Sequence, residues 1–178
     1  GTMTFSTRLK EEITEYNSNP IEKRAELSAI LRYDAKISKD KITITSENAK
    51  IARRIYTNIK EVFGINIKII IRNQKRFRVK QIYILEVKEK VKYILESLYI
   101  YDNSKKLKAN ETYFEAFDEK VSYLKGAFLS IGSINDPSTS GYHLEFIFLT
   151  KLDADFLKKI LKSIKIDSKV LKRNNRYM

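Results

Sequence analysis

The chain has no cysteine, no tryptophan, one histidine, two prolines and five glycines among its 178 residues. Without thiols there is no disulfide, no thiolate nucleophile and no cysteine-bound zinc. The solitary His143 cannot build a multi-histidine metal site, and it reads as a half-exposed strand residue. No apolar run approaches the roughly 20 residues that span a bilayer, and no charged-then-apolar leader opens the chain. A soluble cytoplasmic protein with no membrane partner is therefore expected. The opening Gly1-Thr2-Met3 reads as the remnant of a cleaved tag, so residues 1–3 are set aside from fold reasoning.

What is present is apolar residues and positive charge. An apolar content of 43% is enough to bury a substantial core. Thirty-five lysines and arginines against 22 acidic residues leave a formal charge of +13, a field that attracts polyanions, with double-stranded DNA the first partner to consider. A lysine-, isoleucine- and tyrosine-rich composition is also what an AT-rich genome produces, so charge by itself does not decide the function.

Periodicity outlines the elements. Phe5, Leu9, Ile13 and Tyr16 fall on one face of a helix over residues 4–16, and Pro20 ends the break that follows. A second helix is expected over 21–33, then a strand pair at 36–38 and 41–45. Thr45 or Ser46 is a candidate cap for the next helix, whose stripe of Ala49, Ala52, Ile55, Ile59 and Val62 runs to a stop at Gly64. Ile65, Ile67, Ile69 and Ile71 alternate along a strand over 65–72 with one buried and one mostly polar face. A basic connection leads to a strand over 79–87, and Val87, Val91, Ile94 and Leu98 mark a closing helix. Residues 102–110 are polar and aperiodic and read as a linker. Thereafter the pattern restarts: a helix over 112–130, a strand pair broken by the turn-rich residues 135–141, an alternating strand over 142–149, a helix bearing Phe156, Leu157, Ile160, Leu161 and Ile164, and a last strand over 165–173.

Particular residues recur between the halves. At an offset of 97, Leu27, Ala29 and Ile37 meet Leu124, Gly126 and Ile134; at 105, Thr45, Ala49, Ile55 and Ile59 meet Thr150, Ala154, Ile160 and Ile164; at 101, Ile65, Lys68, Arg72 and Asn73 meet Ile166, Lys169, Arg173 and Asn174. On this alignment nothing after Met178 matches the strand and helix from Lys75 to Leu98, so the second copy is expected to be truncated. The reading is an α+β chain of two pseudo-symmetric αββαβ(βα) repeats, the first with its leading helix over 4–100, a linker over 101–111 and the incomplete second over 112–178.

Leu27-Ser28-Ala29-Ile30-Leu31-Arg32-Tyr33-Asp34 and Leu124-Lys125-Gly126-Ala127-Phe128-Leu129-Ser130-Ile131-Gly132 each resemble the helix-to-strand LAGLIDADG motif of homing endonucleases. Small residues there let two such helices approach closely at a pseudo-twofold axis. In an active member the resemblance implies one carboxylate from each motif, the pair holding divalent metal for phosphodiester hydrolysis. The corresponding positions here are Asp34 and Ile131, and isoleucine cannot bind magnesium. Asp34 is thus a vestigial acid position, with no catalytic residue, metal or cofactor expected. Asp136 is close in sequence, but an Asn-Asp-Pro turn explains it without chemistry.

A broader resemblance covers nearly the whole chain. It rests on Thr4-Phe5-Ser6, Lys23-Arg24-Ala25-Glu26-Leu27, Thr45-Ser46-Glu47-Asn48-Ala49, the second motif and Asp136-Pro137 with Tyr142-His143-Leu144-Glu145, which together resemble the WhiA family of bacterial regulators. The resemblance implies a degenerate LAGLIDADG domain, a carboxy-terminal helix-turn-helix domain that the elements expected here do not include, and transcriptional regulation linked to sporulation and cell division at the nucleoid, with a protein partner as a further expectation. Joined as in the endonuclease fold, the sheets would present Asn66, Lys68 and Arg72 from one copy and Asp167, Lys169 and Arg173 from the other, with Lys75, Arg76, Arg78 and Lys80 alongside. Such cations suit phosphate contacts along a duplex. Phe77 and Tyr83 add aromatic interleaving, though one of them is expected to belong to the core. Two other readings stay open: a metal-dependent homing endonuclease, and a purely protein-interacting module.

Overall fold

Chain entry into the first motif helix is fixed by its flanking residues. In the computed structural model, which describes residues 3–75, 79–102, 105–106, 110 and 113–178, Asn19 and Glu22 cap each other reciprocally at 2.8 and 3.0 Å, and Pro20 occupies the first turn, where its missing N–H costs nothing. The elements of the first half are α1 (Phe5–Ile13), α2 (Pro20–Asp34), β1 (Lys36–Ile37), β2 (Ile42–Ser46), α3 (Ala49–Phe63), β3 (Lys68–Lys75), β4 (Val79–Val87) and α4 (Val91–Ser97). A small hairpin, β5 (Tyr101–Asp102) with β6 (Lys105–Lys106), follows. The second half contains α5 (Phe117–Ile131), β7 (Gly132–Ile134), α6 (Pro137–Ser140), β8 (Leu144–Phe146), α7 (Lys151–Ser163), β9 (Lys172–Arg173) and β10 (Arg176–Tyr177).

The first sheet is antiparallel in the order β1-β2-β4-β3. In the second half β7 pairs with β8, β9 pairs with β10, and an antiparallel bridge from Phe148 to Tyr177 links the two ribbons. The resulting order, β7-β8-β10-β9, repeats that of the first sheet. The expectation that nothing matches the strand after Lys75 is therefore corrected: β10 stands where β4 stands. The two ribbons meet because Asn174 and Asn175, both with positive φ (49° and 62°), turn the chain back at once.

The motif helices α2 and α5 form the largest interface between elements of the described residues. A Cβ on Gly126 would fall well inside contact distance of the Glu26 carbonyl oxygen and 3.0 Å from the Ala29 Cβ, so the crossing is as close as glycine allows. Each motif helix also feeds the other's core. Leu129 of α5 joins Leu27, Ile30, Ile44, Ile55 and Leu85 in the first core, while Ala25 and Ala29 of α2 join Tyr123, Phe146, Phe148, Phe156 and Ile160 in the second.

Several sequence expectations are corrected locally. Asn48, not Thr45 or Ser46, caps α3, accepting from the N–H groups of Lys50 and Ile51, and α1 ends at Ile13, short of Tyr16. The isoleucine alternation has the right phase but the wrong burial. Ile65 and Ile67 are buried ahead of β3, whereas Ile69 and Ile71 are 44% and 57% exposed. These odd-numbered residues share the face of Leu85, Val87, Ile42 and Ile44, but β3 is the edge strand and the helical layer does not reach across it. Within the expected linker the hairpin β5-β6 forms. The expected strand over 165–173 starts in a turn at Lys165 (φ 67°) and is coil over 166–171, with only Lys172 and Arg173 in β9.

Candidate functional site

The motif centre comes first, since it decides whether nuclease chemistry is available. Asp34 is the last residue of α2 and Ile131 the last of α5; Ile131 packs against the second core. Burial raises the Asp34 carboxyl to about 6, against a smaller opposing pull from the Lys10 ammonium. Burial likewise lowers Lys10, which Asp34 partly restores, and its ammonium lies 5.4 Å from the centre of the Phe128 ring. Divalent metal does not fit this donor set. One carboxylate with a lysine beside it, and an isoleucine at the matching end of the other motif helix, offers no anionic pair, and no cluster of three His, Cys, Asp or Glu exists among the described residues. Asp136, the other acid nearby in sequence, accepts from the Ser138 N–H at 2.9 Å and caps the short α6.

Strand register sorts the basic residues between two faces. With Lys68 opposite Glu86, Ile70 opposite Ile84, Arg72 opposite Ile82 and Gln74 opposite Lys80, the even-numbered residues of β3 and β4 lie on the side away from Leu85 and Val87. Lys68, Arg72 and Lys80 therefore share the open face, joined by Thr43 and Thr45 of β2. Lys75 does not: opposite Val79, it lies on the helix side of the sheet, as does Tyr83, whose hydroxyl donates to Gln81 at 2.9 Å. Arg76, Phe77 and Arg78 lie outside the described residues. Lys80 is 3.6 Å from Glu47, an exposed pair of little energetic weight. Lys41 holds Glu86 at 3.2 Å, chiefly through a hydrogen bond that keeps the Glu86 carboxyl below its ordinary range.

In the second half, the Phe148–Tyr177 bridge orients β9 and β10. Phe148, Tyr177 and Lys172 share the helix side, so the cross-strand pair Arg173 and Arg176 lies on the open face. Both arginines are exposed. Like charges placed directly opposite repel, and a polyanion relieves that repulsion. Asn66, Asp167 and Lys169 are exposed but lie in coil, not in a strand. Sequence reasoning missed Arg176, and the available signal was Asn174-Asn175, the dipeptide type that favours a two-residue turn. Ile147 and Leu149, flanking the core residue Phe148, are 43% and 67% exposed, and the Ile147 N–H donates to the Ile131 carbonyl at 3.1 Å.

Two other polar clusters are structural. Arg54 donates to both carboxylate oxygens of Glu26 (2.7 and 2.9 Å), to the carbonyls of Thr14 and Tyr16 and to Ser18, while Asn58 donates to Glu26 at 3.2 Å. Its donors are thereby committed to tying the chain after α1 to α2 and α3. Tyr33 and Tyr123 meet hydroxyl to hydroxyl at 2.7 Å between the motif helices, and burial raises both phenols. His143 is exposed and lies 3.7 Å from Glu145.

With this geometry established, comparisons place the chain among known proteins. A model of the WhiA N-terminal LAGLIDADG-like domain matches residues 20–101, and one of the WhiA LAGLIDADG-like domain matches residues 120–178. The chain is 35% identical over 182 aligned residues to the "Probable cell division protein WhiA" of Oceanobacillus iheyensis, covering 99% of this chain and 58% of that one. Its counterpart of the same name in Staphylococcus aureus is also 35% identical, over 96% of this chain and 56% of that protein. The chain thus spans little more than half the length of these curated relatives. Among solved structures, the N-terminal LAGLIDADG domain of DUF199/WhiA matches with a TM-score of 0.74 at 21% identity, over 99% of this chain and 83% of that one. The homing endonuclease I-DmoI in complex with DNA and Mn matches with a TM-score of 0.58 at 15% identity, over 89% and 88%. At those identities the structural likeness establishes the fold.

Proposed function

This chain belongs to the WhiA family, and from that membership we propose that it serves as a non-cutting, duplex-contacting domain of a transcriptional regulator acting at the nucleoid in sporulation and cell division. The observation that carries the non-cutting part is the Asp34 and Ile131 pair at the ends of the motif helices. In-line phosphodiester hydrolysis through metal needs anionic ligands around the attacking and leaving oxygens. A single acid with a raised pKa and a lysine beside it does not provide them.

The DNA-contacting part is supported by the distribution of charge over the open face. Lys68, Arg72 and Lys80 flank one sheet, and Arg173 and Arg176 sit opposite each other on the other. Phosphate contacts of this kind set affinity and register without reading sequence. Endonucleases of related fold have been solved bound to DNA, which supports a duplex as the partner. Lys75, on the opposite side of the sheet, does not belong to this cationic row.

A salt series tests the assignment. Five phosphate contacts give a slope of about −4.5 in log affinity against log salt, because each releases close to one counterion. Arg72→Glu with Arg176→Glu should flatten the slope and weaken binding. A slope that both charge reversals leave unaltered would put the contacts elsewhere. No duplex binding at low salt would favour the protein-interacting module instead.

A further inference from the structure

Between the basic residues lies a floor that phosphate binding does not require. Ile70 and Ile84 face each other directly across β3 and β4, and Ile82 stands opposite Arg72, all on the open side of the sheet. Thr45 adjoins Ile84 from β2. The three isoleucines are half-buried although no helix covers them, and each presents methyl groups to solvent where a hydrogen-bonding side chain would read a base edge. Past the end of β2, β3 and β4 continue alone as a two-stranded antiparallel ribbon from Arg72 and Ile82 outward, with Ile70 and Ile84 just inside its base; the major groove of B-DNA admits such a ribbon, and the apolar group displayed on a base edge there is the 5-methyl of thymine.

We propose that Ile70, Ile82 and Ile84 make the β3-β4 ribbon a reader of thymine methyl groups, so that its substrate is duplex DNA rich in A·T pairs. The proposal rests on the duplex-contacting reading above and adds a specificity that phosphate contacts cannot give. The register puts floor and rim on the same face: Lys68, Arg72 and Lys80 hold the phosphates while the isoleucines lie toward the bases. That cationic rim is what favours a duplex over an apolar protein as the occupant.

Replacing every thymine by uracil tests this directly, since pairing and charge are kept and only the methyl groups are removed. Affinity of the 178-residue chain for matched thymine and uracil duplexes is read by fluorescence anisotropy at low salt. Each methyl removed from contact should weaken binding about fourfold, the worth of one buried methyl-sized group, so two or three contacts give a ratio of roughly 15 to 60. Ile70→Ser with Ile84→Ser should bring the ratio towards one, whereas Ile84→Val should preserve it. If the serine variant does not fold, the ratio measured on the unaltered chain still decides. Equal affinity for the two duplexes overturns the methyl-reading proposal and leaves duplex contact standing. Binding to neither overturns both, and turns the face over to a protein partner.

Discussion

Gly126→Ala perturbs the place where the two halves are joined. In isolation the change favours the helix by about 1 kcal/mol, since alanine is the better helix former. Against this, the new Cβ meets the main-chain carbonyl oxygen of Glu26 and lies 3.0 Å from the Ala29 Cβ. A carbonyl within α2 has no rotamer in which to escape, so α2 and α5 must part by on the order of 1 Å to restore van der Waals distance. Parting them loosens Ala25 and Ala29 against Ala127 and Tyr123 in the second core, and Leu129 against the first. Overpacking of this kind costs about 3 kcal/mol at the upper end of its usual range, which leaves a net loss of about 2 kcal/mol. Urea unfolding followed by circular dichroism should register that loss, and the thermal midpoint should fall by about 4–8 °C. A variant as stable as the parent, or more stable, would mean that helix propensity wins and that the close crossing is not there.

Other substitutions probe separate parts of the account. Arg54→Met strands the buried Glu26 carboxylate and should cost about 3–5 kcal/mol in urea unfolding, whereas a loss below about 1 kcal/mol would contradict the burial of this pair. Asp34→Asn should stabilise the fold at pH 7. Because the folded-state pKa is raised from 3.8 to about 6, the carboxyl's contribution is fully present below pH 4 and is lost as pH rises through 6. The variant's advantage should be about 1–2 kcal/mol at pH 7 after solvent screening, and should vanish near pH 3; an advantage independent of pH would refute the cause. Arg176→Glu should raise stability by a few tenths of a kcal/mol, by turning a like-charged cross-strand pair into an attractive one, while weakening duplex binding. Loss of stability together with binding would deny the register of β9 and β10.

Periodicity and motif spacing made much of the architecture legible. The stripe with Gly64 behind it marks α3 because Ala52, Ile55 and Ile59 are buried and Val62 packs against the first core, although Ala49 is exposed, and Gly64 does adopt the left-handed conformation at φ 63°. Gly126 marked the helix crossing because only a residue without a side chain fits there. Other features depended on what surrounds a residue. Ile69 and Ile71 continue a perfect alternation, yet their burial is decided by where the helical layer ends across the sheet. The last strand failed because a two-residue turn at Asn174-Asn175 folds the chain back, a long-range pairing with Phe148 that local alternation does not encode. At the site, the replacement of an acid by Ile131 could be read from the motif alone. Which cations share a face could not: Lys75 and Lys80 are close in sequence but fall on opposite sides of the hairpin. The apolar floor at Ile70, Ile82 and Ile84 was hidden for the same reason, since its three members belong together only once β3 and β4 are in register.

Supercoiled plasmid incubated with the chain and magnesium or manganese at low salt, then run on a gel before and after removal of protein, addresses contact and cleavage at once. The account predicts a retarded plasmid that returns fully supercoiled once protein is removed. Nicked or linear product that disappears in Asp34→Asn would contradict it.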